Sequence, residues 1–384
     1  MNDQNFEQER DRFLERMLRS ARGTFEIFSI HVGQQLGYYQ ALAGNGWTTA
    51  PQLAEKTATH ERYAKEWLEQ QASVGILEAA PSDDRQNQGF RLPAARAEVL
   101  TEPDSLNYLA PLAQIVVGAT RPVNDVIKAY RDGTGVPYSA YGNDLIEGQA
   151  SMNRTMFLKL LGSEWLSSVP EVHAKLKKKA RAKVADIGCG FGWSSIGIAN
   201  AYPHAEVDGF DLDAPSIEAA RRNAVETGVA DRVRFHAQDA GALTTPRNYD
   251  LVTAFECIHD MSDPVRVLRT MLNLAAEDGG VVVMDERVAD RFGANADEVE
   301  QLFYGFSILH CLPVGMAEQP SAGTGTVMRV DTLRRYAAEA GFCDIDILPI
   351  ENYFFRFYLL RQQCPVEGAE TTERSHGDAR TVIG

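Results

Sequence analysis

The sequence predicts an α/β protein: an open, mainly parallel sheet wound with helices, preceded by a smaller and mostly helical N-terminal part. Three observations lead there. Residues 184–192 read Val-Ala-Asp-Ile-Gly-Cys-Gly-Phe-Gly and run into an amphipathic segment, 193–201, that stops at Pro203. That is the order strand, glycine turn, helix. Four more apolar runs follow at 205–210, 232–236, 250–255 and 280–284, with helical patterning between them. The first hundred residues lack this rhythm and carry helix-start signals and two short strand-like stretches instead.

At 384 residues the chain is longer than a usual single domain. The expected division is a winged-helix domain (1–100), a helical connector and substrate cover (101–182), a catalytic domain (183–361) and a disordered polar tail (362–384). Apolar content of 44% and charged content of 24% describe an ordinary globular protein. A net charge of −15 argues against nucleic acid or an anionic membrane as the main partner. No apolar stretch approaches the length of a membrane span. Five cysteines (Cys189, Cys257, Cys311, Cys343, Cys364) stand apart, and the N-terminus is polar. This pattern reads as reduced thiols in a cytoplasmic protein.

Residues 3–43 read as helix, with Phe6, Phe13, Met17, Phe25, Phe28, Ile30 and Leu36 at roughly helical spacing. A face this apolar predicts a homodimer interface. Thr48, Thr49 and Pro51 open a short capped helix, a second follows at 61–73, and strands at 75–78 and 89–92 flank the polar loop 82–88. Helix, turn, helix and wing make a winged-helix unit. Its second helix sets Glu61, Glu66 and Glu69 against Arg62 and Lys65, which offers phosphates little to hold.

The connector is broken by Pro103, Pro111, Pro122 and the loop 133–142, and its apolar stretch 149–161 contains Met152, Met156 and Phe157. The basic run 175–183 reads as a solvated helix end. After the last apolar run, residues 287–329 leave the strand–helix rhythm. An apolar helix at 299–312 and a Pro/Gly-rich loop there have the composition of a functional lid. A capped helix at 331–340 ends at Gly341, and 343–348 with 353–360 form a final antiparallel pair.

The glycine turn carries the first chemical signal. Gly188, Gly190 and Gly192 alternate, and Trp193 stands where a dinucleotide fingerprint needs its third glycine. The next run ends in Asp211, about 20 residues beyond the glycines, where such folds place the acid that takes ribose hydroxyls. Asp213 suits the N-cap of the following helix better. The third run leads to Asp239 and Ala240, and the fourth ends at Phe255. Asp186-x-Gly188-x-Gly190-x-Gly192 resembles motif I of the class I S-adenosylmethionine-dependent methyltransferases. That resemblance implies a Rossmann-like seven-stranded sheet and S-adenosyl-L-methionine as cofactor. It implies that Asp186, Gly188 and Gly190 hold the methionyl end, Asp211 and Leu212 the ribose, and Asp239, Ala240 and Phe255 the adenine side.

The segment 256–263, Glu-Cys-Ile-His-Asp-Met-Ser-Asp, resembles the Cys-His-Asp-Trp-Ser-Asp signature of plant-type O-methyltransferases, with Met261 in place of Trp. The resemblance implies His259 as general base, Glu286 steadying its ring, and an N-terminal winged helix used for dimerisation. Methyl transfer from a sulfonium needs an aligned oxygen that loses its proton, and imidazole titrates near the operating pH. Alternatively, His259 caps the helix that starts at 262. His259, Asp260 and His310 also form a possible two-histidine, one-carboxylate set for a divalent metal such as iron. In this they resemble an iron-containing bacterial C-methyltransferase acting on phenylpyruvate. The two readings exclude each other, since a metal-bound imidazole nitrogen cannot take a proton. His310 and the aromatics Phe303, Tyr304 and Phe306 also fit a plain apolar core. The expected function is methylation of a small organic molecule at a hydroxyl. The alternatives are metal-assisted C-methylation of a 2-oxo acid and a winged-helix regulator that binds S-adenosylmethionine.

Overall fold

The computed structural model describes residues 3–81, 88–244 and 248–364. Most of the expected tail, 365–384, lies outside them, as do loop residues 82–87 and 245–247. The chain opens with one long helix, α1 (Asp3–Gln35). Gly37, in the left-handed region at φ 67°, breaks it from Tyr38–Leu42, so the single helix expected over 3–43 is two. Tyr38, Tyr39, Leu42, Leu53, Trp67, Leu68 and Phe90 build a core of their own. The Trp67 indole N–H donates to Ser29 O at 2.9 Å and ties the end of α1 to it. Helices Ala50–Thr57 and Glu61–Ser73 are followed by β1 (Glu78–Ala79) and β2 (Phe90–Arg91), an antiparallel wing. The Gln52 side chain accepts from the Thr49 N–H at 2.9 Å, a reciprocal cap that fixes where the first of these helices starts.

The main sheet contains β3 (Lys183–Ile187), β4 (Glu206–Asp211), β5 (Val233–Ala237), β6 (Tyr249–Phe255), β7 (Ala275–Glu286), β8 (Asp344–Ile347) and β9 (Phe355–Arg361). Their order is β5-β4-β3-β6-β7-β9-β8. The first five strands are parallel, and β9 and β8 close the edge antiparallel. Helices cover both faces, so the central strands are buried and mainly apolar: every residue of β6 is buried. β7 begins before the apolar run 280–284 because Ala275 pairs with Tyr249 across a register shift. The winding runs outward through β4 and β5, then reverses from β3 to β6. The carboxyl ends of β3 and β6 therefore part and open a crevice.

The connector packs over that crevice. Pro111 lies in the first turn of helix Ala110–Thr120 and does not break it, because a first-turn residue has no intrahelical N–H bond to lose. Helix Gly142–Lys159 lies between Ala110–Thr120 and Trp193–Ala201. The insertion docks on the connector. The Tyr141 hydroxyl donates to Leu309 O at 2.8 Å, and the Val136 N–H to Pro313 O at 2.9 Å. The basic run is anchored, since Lys179 Nζ lies 2.8 Å from the buried carboxylate of Asp250.

One expectation is corrected at the sheet edge. The sequence reading takes all five cysteines as reduced thiols, yet Cys343 and Cys364 are bridged. The antiparallel ladder pairs Asp344 with Arg361, which brings the residues just beyond each strand end together. Cys189, Cys257 and Cys311 are free and buried. Among the described residues no helix is long and apolar enough to cross a membrane.

Candidate active site

A cavity of about 710 Å³ opens where β3 and β6 diverge. Gly188, Gly190, Asp211, Leu212, Asp239, Ala240 and Phe255 line it, so the tips of β3, β4 and β6 and the loop after β5 meet in one place. Two glycines of the turn serve different ends. Gly188 is at φ 67°, and a Cβ there would stand 2.7 Å from Cys257 Sγ, so close packing under the turn requires glycine. Gly190, at φ 50°, has nothing within 4 Å of its missing Cβ and presents bare backbone to the cavity. Asp211 Oδ2 accepts from the Gly190 N–H and Oδ1 from the Asp213 N–H, both at 2.9 Å. Burial pushes its carboxyl above the usual range. Asp239 accepts from the Gly241 N–H and from Arg266 Nη1, each at 2.8 Å.

Asp186 departs from expectation. It is 1% exposed and does not line the cavity. Its Oδ2 accepts from the Ser194 and Ser195 hydroxyls, both at 2.6 Å, and its Oδ1 from Thr253 Oγ1 at 2.8 Å. The acid pins the start of helix Trp193–Ala201 to β3 and β6. It shapes the turn from beneath and leaves the cavity to Gly188 and Gly190.

His259 follows β6 on a short turn, Ile258–Asp260, and is buried. Its Nδ1 stands 3.0 Å from Asp285 Oδ1 and 2.9 Å from Glu286 Oε2, both at the end of β7. Asp285 takes the aligned hydrogen bond. Glu286 Oε2 makes no hydrogen bond and contributes charge at contact distance. The two carboxylates hold the imidazole well above its ordinary pKa against the opposing effect of burial, and burial pushes Glu286 up. Asp260, beside His259, does line the cavity, and burial pushes it up to about 6.

The expected metal set is not assembled. Ligand atoms of His259, Asp260 and Cys311 lie within 4.8 Å of one another, and His310 is not among them. The wider-wound segment Ser307–Cys311 turns Cys311 toward His259 and sends His310 against Tyr141, with ring centroids 4.6 Å apart. Burial pushes His310 down to about 3, and its Nε2 has no partner, so it is a neutral ring in an apolar setting. These residues do not fit a two-histidine, one-carboxylate centre.

Comparison with known proteins agrees with this geometry. A methyltransferase domain family matches residues 178–322, and an Rv2258c-like winged HTH domain family matches residues 26–102. The chain is similar to the mitomycin biosynthesis 6-O-methyltransferase of Streptomyces lavendulae, 26% identical over 318 residues, or 82% of this chain and 87% of that protein. Its fold is similar to that of the mitomycin 7-O-methyltransferase MmcR, with 24% identity, a TM-score of 0.66 and coverage of 93% and 99% of the two chains. It is also similar to the O-methyltransferase NcsB1 of neocarzinostatin biosynthesis, in complex with S-adenosylmethionine and 2-hydroxy-5-methyl naphthoic acid. That pair shows 18% identity, a TM-score of 0.59 and coverage of 88% and 95%. Residues 178–322 are a methyltransferase domain with the class I fold. The N-terminal part of the chain is a winged helix.

The far wall of the cavity comes from the connector and the insertion, whose lining residues, Phe157 apart, the sequence did not single out. Helix Gly142–Lys159 supplies Ile146, Gln149, Asn153 and Phe157, and the insertion supplies Val314 and residues 317–320. The insertion is held there by backbone bonds: the Gly325 N–H donates to His259 O at 3.0 Å and the Ala322 N–H to Ser262 O at 2.8 Å. Asp285 and Glu256 were also missed. Asp285 carried a signal, since an acid at a strand's carboxyl end beside Glu286 is within reach of the same ring.

Proposed function

We propose that this enzyme transfers a methyl group from S-adenosyl-L-methionine to a hydroxyl of a small organic molecule. The observation that carries the reading is the single cavity, which joins the turn at 188–190, Asp211 and Asp239 to a second chamber walled by the connector and the insertion. When bound, the cofactor supplies a methyl group on a positively charged sulfur with a good leaving group. Gly190 offers its backbone to the methionyl end, Asp211 the acceptor oxygens for two ribose hydroxyls, and Asp239 an acceptor for the adenine amino group. Leu212, Ala240 and Phe255 supply apolar contact. His259 is the base: Asp285 fixes its ring through Nδ1, and the proton affinity that Asp285 and Glu286 give the imidazole drives uptake of the acceptor's proton at Nε2 by the ring in its neutral form. A hydroxylated aromatic molecule sits in the NcsB1 structure, and the apolar and aromatic walls formed here by Phe157, Phe255 and Tyr138 suit an acceptor of that class. No step is routed through a metal.

The reading also includes a homodimer. Phe6, Phe13, Leu14, Met17, Leu18 and Phe25 on α1 are all more than half exposed, an apolar area that a second copy would cover. Sedimentation should show a dimer that Phe13→Asp with Leu18→Asp converts to monomer; a monomeric wild type would refute this part. The test of the reaction is incubation with methyl-labelled cofactor and a panel of phenols and hydroxylated aromatic acids. Label should move into an ether of one acceptor. Cofactor binding with no transfer to any oxygen acceptor would overturn the assignment.

A further inference from the structure

Glu256 is a polar side chain of the acceptor end of the cavity that the reaction above does not use. It follows β6 directly, and its backbone is in the left-handed region at φ 54°, which a residue with a side chain adopts at a cost. The Glu256 N–H donates to Met284 O at 2.9 Å and holds that conformation in place. The turn sends the carboxyl toward helix Gly142–Lys159, where Asn153 Nδ2 donates to Oε2 at 2.8 Å. Oε1 is buried and has no hydrogen-bond partner. Glu256, Asn153 and Gln149 all line the cavity, beside Phe157 and Phe255, whose ring centroids are 5.6 Å apart. A buried carboxylate oxygen without a donor is costly and uncommon in a folded protein. Here it stands in the wall of a chamber built for a small molecule, three residues from His259 on the same short segment.

We propose that Glu256 recognises the acceptor: its Oε1 accepts a hydrogen bond from a second donor, a hydroxyl or amino group, carried on the acceptor ring next to the hydroxyl that is methylated. This rests on the methyl-transfer reading above and deepens it to a substrate class, ortho-dihydroxy or ortho-aminohydroxy aromatic molecules. Asn153 acts as a positioning residue by occupying Oε2, which leaves Oε1 to the ligand. In Glu256→Gln, the Asn153 donor would hold the amide oxygen. The amide NH2, a donor, would then face the chamber in place of an acceptor.

The experiment uses the full chain loaded with S-adenosylhomocysteine and titrates phenol, 2-methoxyphenol, catechol and 2-aminophenol by calorimetry. Catechol and 2-aminophenol should bind about tenfold or more tighter than phenol and 2-methoxyphenol, the discrimination expected when a ligand donor satisfies a buried, unpartnered acceptor. In Glu256→Gln that gap should close to within about twofold, while affinity for S-adenosylhomocysteine is retained and the protein melts no lower than wild type. Asn153→Ala should narrow the gap in the same direction. Equal binding of all four probes, a gap that survives Glu256→Gln, or no binding of any probe to the loaded protein would overturn the proposal. Failure of S-adenosylhomocysteine itself to bind would instead bring down the methyl-transfer reading on which it stands.

Discussion

The two halves of the cavity are built by different means. The half at β3, β4 and β5 is made of backbone turns and carboxylates whose oxygens are bonded to nearby N–H groups: Asp211 to Gly190 and Asp213, Asp239 to Gly241. The half at β6 and β7 gathers ionisable groups from distant parts of the chain and strips them of water. His259, Asp285 and Glu286 converge behind the cavity wall without lining it, while Asp260 and Glu256 do line it, pushed up to about 6 and about 7 by burial. The first half can bind one constant ligand through fixed dipoles. The second holds Asp260 and Glu256 near the middle of the pH scale, where they can exchange protons, and pays in stability for doing so.

This contrast can be broken most severely at His259. If that side chain takes the acceptor's proton, His259→Ala should lower turnover by roughly 10²–10⁴ while cofactor affinity holds. Steady-state rates with calorimetry of the cofactor check it, and a near-normal rate would remove His259 from the chemistry. The cofactor half should respond in the opposite sense. Asp211→Ala should raise the cofactor dissociation constant by about one to two orders of magnitude, with a smaller effect on turnover at saturation. An unchanged constant would mean that the ribose hydroxyls are held elsewhere.

The smallest effect sharpens the comparison through stability. Glu256 has its folded pKa raised from 4.5 to about 7. The folded state therefore binds more protons than the unfolded state between those values, and this contribution is complete below about pH 4.5 and lost as pH rises through about 7. Glu256→Gln, which cannot ionise, should therefore gain on wild type by on the order of 2–3 kcal/mol between about pH 4 and pH 8. Denaturant melts at both ends test this, and a difference independent of pH would show that Glu256 is not held neutral by burial.

Much of this molecule is written locally. The glycine turn, the acids at the ends of β4 and after β5, the buried run of β6 and the caps of the winged helix follow from residue order, because each rests on contacts within one strand–turn–helix unit. The resemblance to plant-type O-methyltransferases implied His259 and Glu286 as partners, and the two side chains lie 2.9 Å apart at the ends of adjacent strands. Other features depended on segments far apart in sequence. Asp186 was withdrawn from the cavity by Ser194, Ser195 and Thr253, the last of them 67 residues away. A one-residue difference in where the wide-wound segment points put Cys311, and not His310, beside His259. Cys343 met Cys364 only through strand pairing at the sheet edge.

The sequence by itself determined that this chain makes a doubly wound sheet with a ligand turn after its first strand, because periodicity and glycine placement act over a few residues. Only the tertiary structure decided which acids face the ligand, which of two neighbouring residues reaches His259, and that Glu256 keeps one oxygen free. Those outcomes depend on how helices from the connector and the insertion close over the sheet, and packing of that kind is fixed by contacts that no short stretch of residues contains.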